Sequence, residues 1–188
     1  MNLLFAINRN FTDLLCNCIR SIVKNGGADH YDAYILHSDL QDDNKIRIDQ
    51  VAGEKVTFHY ITVDEAMFEG FPESNRYPKQ IYYRLAAPLL LPANLERVLY
   101  LDVDVIVKDS IWEFYSTDFQ GKSLCACLDM SALDGMAPAQ YELFREHRKD
   151  PDFKYFNTGV LLMNLKKMRE NVKYGAKFFC NWCKYWKL

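Results

Sequence analysis

The chain has 188 residues, enough for one domain that buries roughly 70% of the surface its unfolded form exposes. Hydrophobic residues make up 49% and charged residues 26% of it, without low-complexity tracts, so the composition excludes a disordered chain. The net charge of -2 provides no basic stripe and argues against nucleic acid as a partner. Residues 1–7 are too short for a signal sequence, and no apolar run approaches the roughly 20 residues of a membrane span. We therefore expect a cytoplasmic protein.

Apolar strands and amphipathic helices alternate along the chain. Residues 3–7 form a continuous apolar run, typical of a strand buried on both faces, and a polar turn and a helical pattern over residues 14–23 follow it. The alternation predicts an α/β fold in which helices flank a mostly parallel sheet. Residues 64–78 and 131–154 are predicted to be long loops. The other predicted strands are residues 34–36, 56–63, 97–109, 124–128 and 159–163, and the other predicted helices are 42–51, 80–91, 111–115 and 172–186.

Six cysteines fall in three close pairs, of which only Cys180 and Cys183 have the C-x-x-C spacing. A structural zinc site of this kind requires a second pair of ligands, and no such pair is visible. We therefore expect the cysteines to be structural or incidental thiols.

Two acids interrupt the apolar run of residues 97–109, whose sequence is RVLYLDVDVIVKD. Residues i and i+2 of a strand point to the same face, so Asp102 and Asp104 are predicted to lie side by side. Two ionised carboxylates about 6 Å apart repel each other by about 3 kcal/mol at an effective dielectric constant of about 20. A divalent cation removes this cost, and Mg²⁺ and Mn²⁺ prefer oxygen ligands and complete their shells with substrate phosphates. The pair therefore suggests a metal ion that binds a diphosphate.

Ligands of open α/β sheets bind at the carboxyl ends of the strands. Four places in the sequence meet this condition: the polar turn after the first strand, the Asp102 and Asp104 pair, Asp129 after the fifth strand, and the loop before Asn157. We expect them to form one site.

Five segments of the sequence contain the strand ends and polar residues described above, in a characteristic order and spacing. They are FAINRNF (residues 5–11), YRL (83–85), RVLYLDVDVIVKDS (97–110), CLD (127–129) and YFNTGVLLMNL (155–165). Together they resemble glycosyltransferase family 8, the retaining, UDP-sugar-using enzymes that include bacterial galactosyl- and glucosyltransferases. The resemblance runs from residue 2 to about residue 171. It implies the GT-A fold, a Rossmann-like nucleotide-diphospho-sugar transferase fold, and retaining transfer of a hexose, Gal or Glc, from a UDP-sugar.

By this resemblance, the turn after the first strand binds the uridine part of the donor. Ala6, Asn8 and Asn10 would contact uracil and ribose, and Phe11 would stack on the base. Many relatives have aspartate where this chain has Asn8, but an amide can also bond to uracil. Arg84 is similar to the family arginine that reaches the donor.

The resemblance also implies a metal and catalytic residues. Asp102 and Asp104 would ligate Mn²⁺ (or Mg²⁺), with Val103 between them in the donor-binding segment. The metal would neutralise charge on the departing UDP. Asp129 and Asn157 match positions on the sugar and acceptor side, where we expect the catalytic residues.

Relatives continue to a His-x-x-Gly-x-x-Lys-Pro-Trp motif whose histidine is the third protein ligand of the metal, whereas this sequence ends at Leu188. We therefore expect residues 1–188 to form one GT-A catalytic domain that is incomplete at its C-terminus, with the source of the third ligand left open. The histidines of this chain stand in no such motif and are expected to be surface or strand residues: His30, His37, His59 and His147.

The resemblance implies a glycan, a lipooligosaccharide or another glycoconjugate as acceptor. A missing C-terminal part could attach the protein to the inner face of the membrane. The aromatic residues 178–187 could also form a membrane-surface helix, although packing on the domain is the favoured interpretation.

Two other functions stay open at this point. An Asp-x-Asp at the end of a strand also resembles haloacid-dehalogenase-type phosphatases, in which Asp102 would be the nucleophile. Three strands precede the pair and no glycine follows it, which fits that family less well. The second alternative is a non-catalytic or self-glycosylating UDP-sugar-binding protein akin to glycogenin, since the chain has 12 tyrosines.

Overall fold

The computed structural model describes residues 1–71, 73, 78–128 and 156–171. Strands and helices alternate in it as the sequence predicts, with short 3₁₀ turns between several of them. The strands are β1 Asn2–Ala6, β2 Tyr31–His37, β3 Val56–Thr62, β4 Arg97–Leu101, β5 Leu124–Leu128 and β6 Phe156–Asn164. The helices are α1 Thr12–Asn25, α2 Asp42–Asp49, α3 Gln80–Tyr83, α4 Ala87–Leu90, α5 Trp112–Tyr115 and α6 Leu165–Asn171.

The six strands of the described residues form one sheet in the order β3-β2-β1-β4-β6-β5. The pairs β3–β2, β2–β1 and β1–β4 are parallel, whereas β6 runs antiparallel to both of its neighbours. Five strands therefore share one direction, which confirms the prediction of a mostly parallel sheet.

Strand β6 is longer than predicted and runs antiparallel to the other five strands. It begins at Phe156 rather than at residue 159, and Val160 pairs with Leu101, the last residue of β4. The first four residues of β6 consequently extend past the end of β4. This extension places them at the edge of the sheet where the parallel strands have their carboxyl ends.

Helices cover both faces of the sheet. The residues Leu15, Ile19 and Ile22 recur at helical spacing on α1 and pack in one core with Ile35 of β2. On the other face, α3, α4 and α6 contribute to a second core that contains Leu36 of β2. Neighbouring residues of β2 thus serve opposite cores, as the alternation of a strand requires.

The helix predicted over residues 80–91 is interrupted. Helix α3 is followed by the 3₁₀ turn Arg84–Ala86 and then by α4. Pro88 lies in the first turn of α4, where the missing N–H of proline has no intrahelical partner to lose.

Part of the sequence-based prediction falls outside the described residues: Asp129, the loop 131–154, the helix 172–186, His147, Cys180 and Cys183. The described cysteines are free thiols, and Cys16 and Cys18 of α1 are buried. None of the helices in the described ranges has the length and apolarity that a membrane crossing requires.

His37 is a buried histidine at the end of β2. Its side chain is 3% exposed, and its Nδ1 accepts a hydrogen bond from the Leu40 N–H at 3.4 Å. Within the described residues its Nε2 has no hydrogen-bond partner. Burial lowers the pKa of His37 below its ordinary value of 6.5, the charge of Lys45 lowers it further, and Asp39 opposes the shift. The folded state therefore favours the neutral ring.

Protonation of His37 should destabilise the fold at acidic pH. Because the unfolded chain binds this proton more readily, the free energy of unfolding should fall as the pH drops below about 6.5, by at most about 1.4 kcal/mol per pH unit for one proton. His37→Asn keeps an acceptor for the Leu40 N–H and removes the titration. Denaturant unfolding at several pH values should show a smaller loss of stability in this variant. Equal pH dependence in both proteins would contradict the assignment.

Candidate metal centre and donor site

The carboxyl ends of β1 to β5 lie at one edge of the sheet, and the first residues of β6 join them there. This edge carries the turn after β1, the acids after β4, and Asn157 at the start of β6. Because β1 and β4 are neighbours in the sheet, the turn that contains Asn8 and the loop that contains Asp102 lie next to each other. The structure thus gathers three of the four predicted places, and the fourth, Asp129, lies outside the described residues.

The turn after β1 is shaped by its own polar side chains. Asn8 is the N-cap of a 3₁₀ turn, and its Oδ1 accepts a hydrogen bond from the Asn10 N–H at 3.0 Å. The Asp39 carboxylate accepts another from the Arg9 N–H at 2.9 Å. The Phe11 side chain remains 37% exposed. This turn therefore offers a ring that can stack on a base and an amide that can donate to it.

The two acids lie beyond β4 rather than within it. The strand ends at Leu101, and Asp102 and Asp104 belong to the turn that follows. Strand alternation therefore does not explain their positions, contrary to the sequence-based argument. The Asp102 N–H donates to the Gly159 carbonyl at 2.7 Å, and the Asp102 carbonyl accepts from the Val105 N–H at 3.3 Å. These two bonds fix the backbone from which the first acid projects.

Helix α1 holds the loop that contains the acids. Ser21 Oγ accepts a hydrogen bond from the Val107 N–H at 2.9 Å, and Asn25 Nδ2 donates to the Val107 carbonyl at 2.7 Å. Burial raises the pKa of the Cys18 thiol to about 12, and the nearby charge of Asp104 adds to the increase. The loop thus runs along α1, whose first turn follows the exposed Phe11 ring.

The Asp102 carboxylate is held through one of its oxygens. The Tyr100 hydroxyl donates a hydrogen bond to Oδ1, and Arg84 Nη1 is 3.5 Å from the same atom. The Arg84 side chain is 13% exposed and also donates to the carbonyls of Ile81 at 2.7 Å and Thr158 at 2.6 Å. The arginine expected to reach the donor therefore contacts the first acid of the pair.

The other oxygen of Asp102 faces Gly159 of β6. A Cβ atom at this position would lie 2.6 Å from Oδ2 and 3.2 Å from the Oδ1 atom of Asn157. The backbone of Gly159 is not in the left-handed region, so available space rather than conformation requires the glycine. Asn157 Oδ1 accepts the Gly159 N–H at 2.8 Å, and the Asn157 side chain is exposed. Its amide N–H groups can therefore donate to a ligand.

The negative charge of Asp104, unlike that of Asp102, is not balanced by a donor or a cation among the described residues. Its side chain is exposed, and among the residues that the structure describes it has no hydrogen bond or ion pair. One oriented carboxylate beside one unpaired carboxylate fits a hard divalent cation, which takes one or two carboxylates together with phosphate oxygens. No third His, Cys, Asp or Glu joins the pair within the described ranges.

The described histidines lie in other environments. His30 contacts Thr57 Oγ1 at 3.0 Å, His59 pairs with Asp32 at 3.0 Å, and His37 is buried at the end of β2. These positions agree with the expectation that they are strand or surface residues.

Residues 2–174 match the family model described as glycosyl transferase family 8. The chain belongs to this family. The resemblance predicted from the five segments is therefore confirmed, and the match favours glycosyl transfer over the haloacid-dehalogenase alternative.

Solved structures and curated relatives agree with this assignment. Galactosyltransferase LgtC, in complex with donor and acceptor sugar analogues, superimposes with a TM-score of 0.76 at 27% identity, covering 90% of this chain and 60% of that chain. The match confirms the predicted GT-A fold. A lipopolysaccharide 1,2-glucosyltransferase of Escherichia coli is 26% identical over 179 residues, which cover 95% of this chain and 51% of the relative. General stress protein A of Bacillus subtilis is 26% identical over 73% of this chain and 46% of its own length. This family 8 chain thus spans about half the length of the curated relatives it matches.

Sequence reasoning assigned no role to two residues of the site, Tyr100 and Gly159. Both lie in segments that carried the family resemblance. The Gly159 contact depends on the pairing of β4 with β6, which places Gly159 beside Asp102. The Tyr100 contact is local, since Tyr100 precedes Asp102 by only two residues, but Asp102 lies beyond the end of β4, where strand alternation does not apply.

Gly159→Ala should weaken metal binding at the acid pair. The added methyl group would force the Asp102 carboxylate to move, and the loss of orientation of a metal ligand typically lowers metal affinity by about tenfold or more. We expect electron paramagnetic resonance of free Mn²⁺ to show this loss, with the secondary structure unchanged by circular dichroism.

Gly121→Ala is the matched control. Gly121 has φ +73° and open space around its Cβ position, so the same methyl group there strains only the backbone. It should lower stability without changing Mn²⁺ affinity. If Gly159→Ala bound Mn²⁺ as tightly as Gly121→Ala and the wild type, the steric requirement at position 159 would be refuted.

Proposed function

We propose that this family 8 chain is the donor-binding part of a retaining glycosyltransferase that moves a hexose, Gal or Glc, from a UDP-sugar to a glycoconjugate, with Mn²⁺ or Mg²⁺ as cofactor. The observation that supports this most is the Asp104 carboxylate, which has no partner in the described part of the chain and follows the oriented Asp102 carboxylate by two residues. Both lie at the edge of the sheet that also presents the Phe11 turn. A nucleoside diphosphate has a base for the turn and negative oxygens for a cation held by the acids.

The position of α1 supports the proposal that one ligand contacts both the Phe11 turn and the two acids. The helix begins at Thr12, directly after Phe11, and Asp104 lies near Cys18. Thr12 and Cys18 are about 9 Å apart along the helix axis. The turn and the acid loop are thus both attached to α1, which supports one ligand that contacts both.

The residues of the turn have defined roles in this proposal. Ala6 ends β1 and brings the chain to the edge of the sheet, and Phe11 stacks on uracil. Because Asn8 Oδ1 already accepts the Asn10 N–H, the Asn8 amide serves as a donor to a carbonyl oxygen of the base. The Asn10 side chain is exposed and available to the ribose.

Asp102 and Asp104 would hold the cation, with Val103 as the backbone link between them. A bound divalent cation would supply electrostatic stabilisation of the departing diphosphate. Arg84 keeps Asp102 in place, and it lies between the acid and the start of β6. At that start, the exposed Asn157 would donate from its amide to the transferred hexose and so help to orient it.

The finer parts of the proposal rest on the family and on the relatives. Asp129 is kept as a catalytic residue on the acceptor side. The name of the Escherichia coli relative indicates lipopolysaccharide as its acceptor, which supports a lipooligosaccharide or a similar glycan here. Attachment to the inner face of the membrane through residues beyond this chain stays a prediction, as does a cytoplasmic location.

Asp104→Asn should abolish the metal dependence of UDP binding. The amide keeps the size of the side chain but removes the charge that balances the cation, so we expect Mn²⁺ to increase the affinity for UDP by about tenfold or more in the wild type only. Calorimetric titration of UDP with and without Mn²⁺ measures this difference.

Asp109→Asn provides the control for net charge on the same segment. Asp109 Oδ1 accepts the Ser110 N–H at 2.7 Å, and an asparagine preserves that bond. This variant should retain the effect of Mn²⁺. Metal-independent UDP binding in the wild type, unchanged in Asp104→Asn, would contradict the proposed site.

A hexose found on the protein by mass spectrometry after incubation with UDP-glucose would instead favour the self-glycosylating alternative.

A further inference from the structure

Tyr100 is a buried tyrosine in the middle of the sheet. It is the fourth residue of β4 and is 2% exposed, and it pairs with Leu4 of β1 on one side and Leu161 of β6 on the other. Its ring belongs to the core that α3, α4 and α6 cover. Packing therefore fixes the ring and, with it, the direction of the hydroxyl toward the Asp102 carboxylate.

Arg84 also contacts the Asp102 carboxylate. Its guanidinium stacks over the Tyr100 ring with Cζ 4.5 Å from the ring centroid. The carbonyls of Ile81 and Thr158 hold two of its donors, and Nη1 stays 3.5 Å from Asp102 Oδ1. Tyrosine and arginine thus converge on a single carboxylate oxygen.

This convergence leaves the second oxygen of Asp102 for another partner. Oδ2 faces Gly159, where the missing side chain provides space. An arginine and a carboxylate can also form a bidentate pair, in which both oxygens are occupied. The Tyr100 hydroxyl occupies a hydrogen-bonding position of Oδ1 and thereby disfavours such a pair between Arg84 and Asp102.

We propose that Tyr100 is a positioning residue for the metal centre, whose hydroxyl holds Asp102 Oδ1 so that Oδ2 is presented to the cation rather than to Arg84. The inference rests on the proposed function, because it gives the hydroxyl a purpose only if a cation binds at the acids. Outer groups that orient metal ligands commonly change metal affinity by about 10- to 100-fold when they are removed.

A merely structural hydroxyl is the competing explanation, since buried tyrosines usually find a hydrogen-bond partner. The chain contains a matched example of that situation. Tyr83 is fully buried in the same core, and its hydroxyl donates to Glu65 Oε1 at 2.6 Å. Glu65 is not one of the acids of the proposed metal centre. Tyr83 is therefore buried and bonded to a carboxylate like Tyr100, but it does not orient a metal ligand.

The test compares Tyr100→Phe with Tyr83→Phe in the same 188-residue chain. Both substitutions remove one buried hydroxyl and one hydrogen bond to a carboxylate, so both should lower thermal stability to a similar extent. Electron paramagnetic resonance of Mn²⁺ in the presence of UDP should show affinity reduced by about tenfold or more in Tyr100→Phe only. Equal Mn²⁺ affinities in the two variants would overturn the proposal.

A second measurement separates this proposal from the proposed function. If the wild type bound no Mn²⁺ even with UDP, the proposed function would fail. The Mn²⁺ affinities of the variants would then give no information about the role of the Tyr100 hydroxyl. Crystal structures of the metal-free variants then decide the positioning claim. The Asp102 carboxylate should rotate toward Arg84 in Tyr100→Phe and keep its orientation in Tyr83→Phe. An unchanged carboxylate in Tyr100→Phe would refute the role of the hydroxyl.

Discussion

The presence of two carboxylates in the turn after β4 is the constraint on which the site depends, because a pair of like charges requires compensation. The chain compensates one of them, since Tyr100 and Arg84 both contact Asp102. It leaves Asp104 exposed and, within the described residues, without a partner. Burial raises the pKa of Tyr100, the charge of Arg84 opposes the shift, and the charges of Asp102 and Asp104 add to it, so the tyrosine remains a neutral donor. A divalent cation would complete the compensation that the protein provides only in part.

The sheet topology turns this local constraint into a site. Because β6 is antiparallel, it begins where β4 ends, and Gly159 can therefore lie against Asp102. Parallel β1 ends at the same edge and continues into the turn before α1. That helix then holds the acid loop through Ser21 and Asn25, so the turn that contains Asn8 and the loop that contains the acids are attached to the same helix.

The element types were predictable because their patterns are local. The spacing of Leu15, Ile19 and Ile22 determines the buried face of α1, and the apolar run of β1 matches a strand covered on both sides. The direction of β6 was not predictable, since an apolar run does not reveal which way a strand enters the sheet.

The site was also predictable only where its features are local in the sequence. The acid pair was predicted from residue type and spacing and Asn157 from the family resemblance, whereas the space left by Gly159 exists only through strand pairing. The end of β4 at Leu101 was also missed, because apolar residues continue past the acids to Val107.

The central claim is that a hard divalent cation, together with a nucleotide diphosphate, lies between Asp102 and Asp104. Anomalous diffraction from a crystal of this chain grown with Mn²⁺ and UDP tests it most directly. The account predicts one manganese peak in contact with both carboxylates and with the diphosphate oxygens, and the uracil against Phe11. A fully bound UDP with no manganese at the acids, or with Asp104 turned to a protein cation instead, would contradict the account.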